Sequence, residues 1–253
     1  MGKATRLLEY LLASDKEYRC EMVLGLITST HDLDGQVLKK DSVAKEQLVN
    51  LPFVFEKFTG EIEQIPPMVS AVRFQGKRLY NLAHQGIEVE RPPRKITVHH
   101  LEIRDVLLDN NNYLVRFDVA CSKGTYIRTL CHDLGQDLGC GASMSFLLRT
   151  KTGNFLLKDS FTLEEVQQLW EKGQSSFLIP MTDVLSLPAI IIEEKKAQMI
   201  MQGKQLELDI SPIIKNPYNG QKVQILDNGG LVAIGELLQE NKKFRLQPRK
   251  VLR

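Results

Sequence analysis

The residues with chemistry to offer gather in one stretch, Cys121-Ser122-Lys123-Gly124-Thr125-Tyr126-Ile127-Arg128, where cations, a phenol and hydroxyls surround a glycine turn. Arg128 is the oddity. Ile127, Leu130, Cys131, Leu134 and Leu138 recur at helical spacing, with Gly139 where a left-handed cap is expected, so Arg128 stands in a helix's first turn. A cation there opposes the helix dipole, which favours anions by roughly 0.3 to 1 kcal/mol. Arg128 therefore either meets a carboxylate or phosphate, or is an exposed arginine on an ordinary strand-to-helix turn. A second polar stretch, Thr28-Ser29-Thr30-His31-Asp32-Leu33-Asp34-Gly35, alternates two acids. It lacks the further oxygen ligand and distal glutamate of a calcium loop.

The elements that must hold these groups follow from periodicity. Tyr113, Val115, Phe117, Val119 and Cys121 alternate with polar or small residues, the pattern of a strand covered on one face. Asp109-Asn110-Asn111-Asn112 predicts the hairpin turn into it. Before that turn the apolar phase slips from Ile96 and Val98 to Leu101 and Ile103, the mark of a bulge. Tyr18, Cys20, Met22 and Leu24 share one face of an earlier strand, and Met144 to Leu148 reads as a later one. Leu7, Leu8, Leu11 and Leu12 line one side of an opening helix. Ser42 is expected to cap a helix that Pro52 ends or restarts, and Thr162 with Glu165 forms a capping box. Beyond Leu185 to Pro188 the texture changes to short strands and tight turns, a module of about 65 residues, marginal alone.

Composition bounds the class. The chain has 253 residues, 43% hydrophobic and 25% charged, as an ordinary globular protein does, so disorder is not expected. Its cysteines, Cys20, Cys121, Cys131 and Cys140, form no C-x-x-C pair and read as small buried thiols. His99 and His100 are adjacent on a strand and point apart, which disfavours a shared metal. No run approaches the roughly 18 apolar residues of a membrane span, and a cytoplasmic location is expected. A net charge of +2 is too small to announce a nucleic-acid binder, but its distribution says more. Lys242, Lys243, Arg245, Arg249, Lys250 and Arg253 crowd the end of the chain with no acid among them, and Arg73, Lys77, Arg78, Arg91, Arg94 and Lys95 form a second cluster. Such clusters attract phosphate; each taken singly is also the pattern of a solvated face. In the second, paired prolines, Phe74 and Tyr80 suit a surface segment that lies against a nucleic acid, or one that pins a long loop to the core.

Taken together, four ordered motifs resemble the TruB-type tRNA pseudouridine synthases. They are Gly2-Lys3-Ala4-Thr5-Arg6, Asp15-Lys16-Glu17-Tyr18-Arg19, Gln64-Ile65-Pro66-Pro67-Met68-Val69-Ser70-Ala71 and the Cys121 to Arg128 stretch. The resemblance implies an α+β fold: a mixed core with a central antiparallel sheet over residues 1–186, and a β-rich module resembling a PUA domain over 187–253. It implies a uridine flipped from the TΨC loop of tRNA, position 55, whose base is detached, turned and rejoined through carbon five with an aspartate doing the covalent work. Tyr18 is similar to the tyrosine that stacks on the base, Arg128 to the arginine paired with that aspartate, and Leu147 to an apolar wall. Lys3 and Tyr126 match positions near the site, and Lys123 is a candidate RNA contact. Residues 65–86 resemble a mobile thumb, with Arg73, Lys77 and Tyr80 toward RNA, and Arg249 and Lys250 suit the same partner. No cofactor, metal, membrane or obligate protein partner is implied, and a monomer is expected.

Two departures accompany the resemblance. The family's aspartate lies in a G-T-L-D-P segment upstream of Gly-Lys-Ala-Thr-Arg, whereas no aspartate of this sequence precedes a proline. The sequence as written is thus expected to lack the nucleophile, through a truncated N-terminus, and to be inactive; Asp32 and Asp34 belong to a different motif. His84 stands where the thumb pattern usually has arginine. The alternative function is a module that binds and refolds tRNA without isomerising it.

Overall fold

The computed structural model describes residues 2–208, 213–241 and 243–253. It separates into two compact units, Ser14–Asp159, and Met1–Ala13 together with Ser160–Arg253. The compact units therefore do not divide near residue 186, where the texture changes. Apolar contact explains part of this: the chain opens with a 3-10 segment, Gly2–Leu7, and helix α1 (Leu8–Leu12), and Leu7 packs with Leu231, Ile234 and Leu252. Leu8 and Leu12 are exposed, so the expected leucine stripe is buried only at Leu7.

The Ser14–Asp159 unit runs β1 (Lys16–Leu24), β2 (Leu26–Thr28), β3 (Val37–Lys40), α2 (Lys45–Lys57), β4 (Gly60–Gln64), β5 (Arg73–Phe74), β6 (Lys77–Arg78), α3 (Leu79–His84), β7 (Arg94–Asp109), β8 (Asn112–Cys121), α4 (Ile127–Asp137), β9 (Ala142–Thr152) and β10 (Phe155–Leu156). A six-stranded antiparallel sheet follows the order β10-β9-β1-β8-β7-β4. Alternation sorts its side chains by solvent. Cys20 and Met22 of β1 and Val115, Phe117, Val119 and Cys121 of β8 are buried with Leu51, Val54 and Phe55 of α2 and Leu130, Cys131 and Leu134 of α4. Each such large side chain contributes about 1.5–3 kcal/mol by leaving water. Residues of opposite parity pair as ions, Arg19 with Asp118 at 3.0 Å and Arg116 with Glu21 at 2.8 Å.

Local geometry matches several expectations. Asn110 and Asn111 both adopt positive φ, 46° and 64°, as a tight hairpin turn requires. The β7–β8 register shifts between Val98 and His100, the bulge signalled by the apolar phase slip. His99 pairs with Asp15 and His100 with Glu102, so the neighbouring imidazoles reach different acids. All four cysteines are buried free thiols. Helix α2 differs: it begins after Ala44, whose N–H donates to Gln47 Oε1 at 2.8 Å, so Ser42 is not its cap, and Pro52 lies inside it. Gly135 is required by contact. A Cβ there would lie 2.1 Å from the backbone nitrogen of Ala142, so only glycine lets α4 rest on the start of β9.

The other unit contains α5 (Leu163–Glu171), β11 (Ala189–Ile191), α6 (Glu194–Met201), β12 (Leu206–Leu208), β13 (Lys222–Asp227), β14 (Gly230–Glu240) and β15 (Lys243–Val251). Thr162 and Glu165 form the expected reciprocal cap of α5. Five strands in the order β11-β13-β14-β15-β12 enclose a core that includes Ile190, Ile200, Val223, Ile225 and Leu246. Among the described residues no helix is long and apolar enough to cross a membrane.

Candidate active site

A pocket of about 290 Å³ opens in the Ser14–Asp159 unit, lined by Tyr18, Asp32, Thr125, Tyr126, Ile127, Arg128, Met144 and Leu147. Its walls are set by the backbone. Tyr18 shares a face of β1 with Cys20 and Met22, nearer the strand's start and half-buried, and burial pushes its phenol up while Arg149 of β9 pulls against that. The turn after β8 is pinned by Ser122, whose N–H donates to Thr97 O and whose Oγ accepts from Thr97 N. Gln64, 2% exposed, then clamps the residue before α4: its Oε1 accepts from Tyr126 N at 2.8 Å and its Nε2 donates to Tyr126 O at 3.1 Å. The glutamine orients the start of α4, where no side chain caps the helix.

Arg128 reaches from that first turn to a carboxylate. Its Nη1 donates to Asp32 Oδ2 at 2.7 Å, and its Nη2 donates to the backbone oxygen of Val69. Thr30 Oγ1 donates to Asp32 Oδ1, as does Asp34 N at 3.3 Å, so both carboxylate oxygens are engaged. Burial raises the Asp32 carboxyl; the hydrogen bonds from Thr30 and Arg128, with the guanidinium charge, outweigh it and hold the group below its ordinary value. Gly35 makes room for this: a Cβ there would lie 2.3 Å from Thr30 Oγ1. The arrangement is a fixed, charge-neutral pair beside a phenol and an apolar wall, suited to hold and orient a flat polar ring.

Of the residues expected at the site, Tyr18, Tyr126, Arg128 and Leu147 line this pocket, and Lys123 lies exposed on the adjoining turn. Arg73 and Lys77 are exposed on the β5–β6 hairpin, and Arg78 lies 5.8 Å over the Tyr80 ring; buried Leu79 anchors the segment. Lys3 is exposed in the other compact unit. There too Arg249 pairs with Glu236 and Lys250 with Glu9, both at 2.7 Å, so acids from β14 and α1 face the terminal cluster. Lys242 lies outside the described residues. Sequence reasoning missed Asp32 and Gln64 as parts of the site. An unpartnered cation in a helix's first turn asked for a carboxylate, but nothing in the spacing said which of the acids it would be.

By architecture this is an α+β protein whose open antiparallel sheet carries helices on one face and an ion-paired pocket at a helix start. Residues 1–127 match the model of the TruB family pseudouridylate synthase N-terminal domain, and residues 128–186 that of the tRNA pseudouridylate synthase B C-terminal domain. The tRNA pseudouridine synthase B of Moorella thermoacetica is 41% identical over 256 aligned residues, covering 100% of this chain and 84% of that protein. The Clostridium tetani protein of the same name is 44% identical over 211 residues, 82% and 70% of the two chains. A crystal structure titled as a Cbf5-Nop10-Gar1 complex superposes with a TM-score of 0.70 at 27% identity, covering 99% of this chain and 70% of that one. The chain belongs to the TruB family of pseudouridine synthases, RNA-modifying isomerases.

Proposed function

We propose that the pocket takes the uridine at position 55 of the tRNA TΨC loop for isomerisation to pseudouridine. The observation that carries this reading is the Asp32–Arg128 pair beside Tyr18 in one pocket of a TruB-family chain. Tyr18 stacks on the base and Leu147 bounds its apolar edge. Arg128 supplies a fixed positive charge for the reacting carboxylate, and Tyr126 and Lys123 lie toward the ribose and phosphate side. Residues 65–86 close over the loop through Arg73, Lys77 and Tyr80, while Lys3, Arg249 and Lys250 add phosphate contacts that offset the few kcal/mol needed to unstack a base. Within this reading residues 1–186 do the chemistry, residues 187–253 hold RNA, and the protein works as a monomer without cofactor or metal.

The reaction breaks the bond from the sugar to N1 and makes one to C5, whose hydrogen leaves. A nucleophilic carboxylate must be free to attack. Both oxygens of Asp32 are occupied, which favours an orienting role for it and, for the 253-residue chain alone, the second reading of a tRNA binder without turnover. Tritium release from tRNA labelled at uridine C5 separates the cases. Release that Arg128→Ala abolishes supports the synthase reading. Salt-dependent tRNA binding by the folded protein with no release of tritium defeats it and leaves the binder.

A further inference from the structure

We infer that His31 and His132 are positioning residues, whose stacked rings hold the Thr28 to Gln36 loop on α4 so that Asp32 stays on Arg128. The inference rests on the reading of that ion pair as part of the uridine site. The two imidazoles lie parallel, centroids 3.9 Å apart and planes within 2°. His31 precedes Asp32 in the loop, and His132 follows Arg128 by one turn of α4, so neighbours in the loop meet neighbours on one helix face. One contact is an ion pair and the other a ring stack; together they fix both the place and the direction of the loop.

Two further observations give the stack this role. His31 adopts a left-handed backbone, φ 65°, uncommon for a residue with a side chain, while its oxygen accepts from Met144 N at 2.9 Å. That conformation turns its ring toward α4 while Asp32 faces the pocket. The Nδ1 of each ring is buried without a hydrogen-bond partner among the described residues, so face-to-face packing is the recorded contact between the rings.

The stack requires neutral rings. His31 is acted on by His132 and Arg128 of α4, by Arg91 of the segment after α3, and by Asp32 of its own loop. Burial first, then any charge taken up by His132 and the Arg128 and Arg91 guanidiniums, holds it down to about 4, and burial alone lowers His132. Asp133, next to His132, is pushed up to about 6 by burial. A proton on His31 would add a cation beside Arg128 and Arg91 and compete for the Asp32 carboxylate. Acid therefore undoes the stack and loosens the ion pair together.

The test reads Arg128 itself in the full chain, as the rate of rotation about its Nε–Cζ bond from exchange between its Nη signals in ¹⁵N NMR. His31→Ala and His132→Ala are each expected to speed rotation by about tenfold or more at neutral pH, because a guanidinium locked on a carboxylate turns slowly. In the wild type, rotation is expected to quicken as pH falls through about 4, where His31 of the folded chain takes its proton; His31→Phe, a ring that cannot take a proton, should rotate as slowly as wild type at neutral pH and flatten that rise. Unchanged rotation in the alanine variants, or a His31→Phe profile identical to wild type, overturns the inference. Should the alanine variants fail to fold, the two pH profiles decide alone. The measurement needs neither RNA nor turnover, so its failure leaves the synthase reading standing, and failure of tritium release leaves the stack standing.

Discussion

The pocket and strand β15 both bring an arginine to a carboxylate at 2.7 Å, and the two pairs differ in what water can reach. Arg128 and Asp32 keep 20% and 14% of their side-chain surface; Arg249 and Glu236 keep 50% and 25%. Length is equal and worth is not. An exposed pair is screened and contributes about 0–1 kcal/mol, whereas removing one member of a buried pair strands a charge. Asp32→Ala should therefore cost about 3 kcal/mol of unfolding free energy in urea, the low end for a buried pair because both side chains keep some contact with water. Replacing both partners, Asp32→Leu with Arg128→Met, should recover most of that stability and none of the function. If Glu236→Ala costs as much as Asp32→Ala, the contrast between the regions is void.

The next effect sharpens why the buried pair is rigid. Helix α4 can present Arg128 only if it lies flat on β9, and Gly135 lets it. Gly135→Ala drives a methyl into the backbone at Ala142 and should cost about 1–3 kcal/mol by overpacking. Urea unfolding measures this, and a neutral outcome would show that α4 can shift without loss.

Protons act on the pocket side of the comparison through groups of opposite sign. His31, held down to about 4, is neutral when folded and charged when unfolded between there and 6.5, so its contribution to stability is present above 6.5 and is lost as pH falls. Asp133, pushed up to about 6, is protonated when folded and ionised when unfolded above 3.8, so its contribution fades as pH rises toward 6. They oppose each other across the same window. Asp133→Asn removes one of them, and its unfolding free energy should climb more steeply than wild type between pH 4 and 6. An unaltered slope would mean that Asp133 ionises normally.

How much of this was legible follows from where the deciding contacts lie in the chain. The β8 alternation, the Asn110-Asn111 turn, the bulge beside Val98 and the Thr162 cap are local, written within a few residues, and all are present. Tyr18 and Arg128 stood out by position and by motif. Asp32 did not, because the contact joins residues 96 positions apart and only the sheet order brings the loop to α4. The same gap hid the Glu236 and Glu9 partners of the terminal cluster, which looks purely basic when read along the chain. Leu7 joined the C-terminal β-rich unit for an equally non-local reason, an apolar niche formed with Leu231 and Leu252.

The smallest effect belongs to β15 and cuts both ways. Arg249→Ala should change unfolding free energy by less than about 0.5 kcal/mol, since half of the side chain is already in water. Its effect on RNA is also bounded. If Arg249 contacts phosphate, it must first leave Glu236, and the exchange of one carboxylate for one phosphate returns little net affinity. The signature is then in salt dependence: the slope of log affinity against log salt should fall by about one, with only a modest loss at fixed salt. Glu236→Gln frees the same guanidinium and should tighten binding. If both variants bind like wild type at every salt concentration, Arg249 is a structural ion-pair partner, and the basic run at the chain's end is a solvated face.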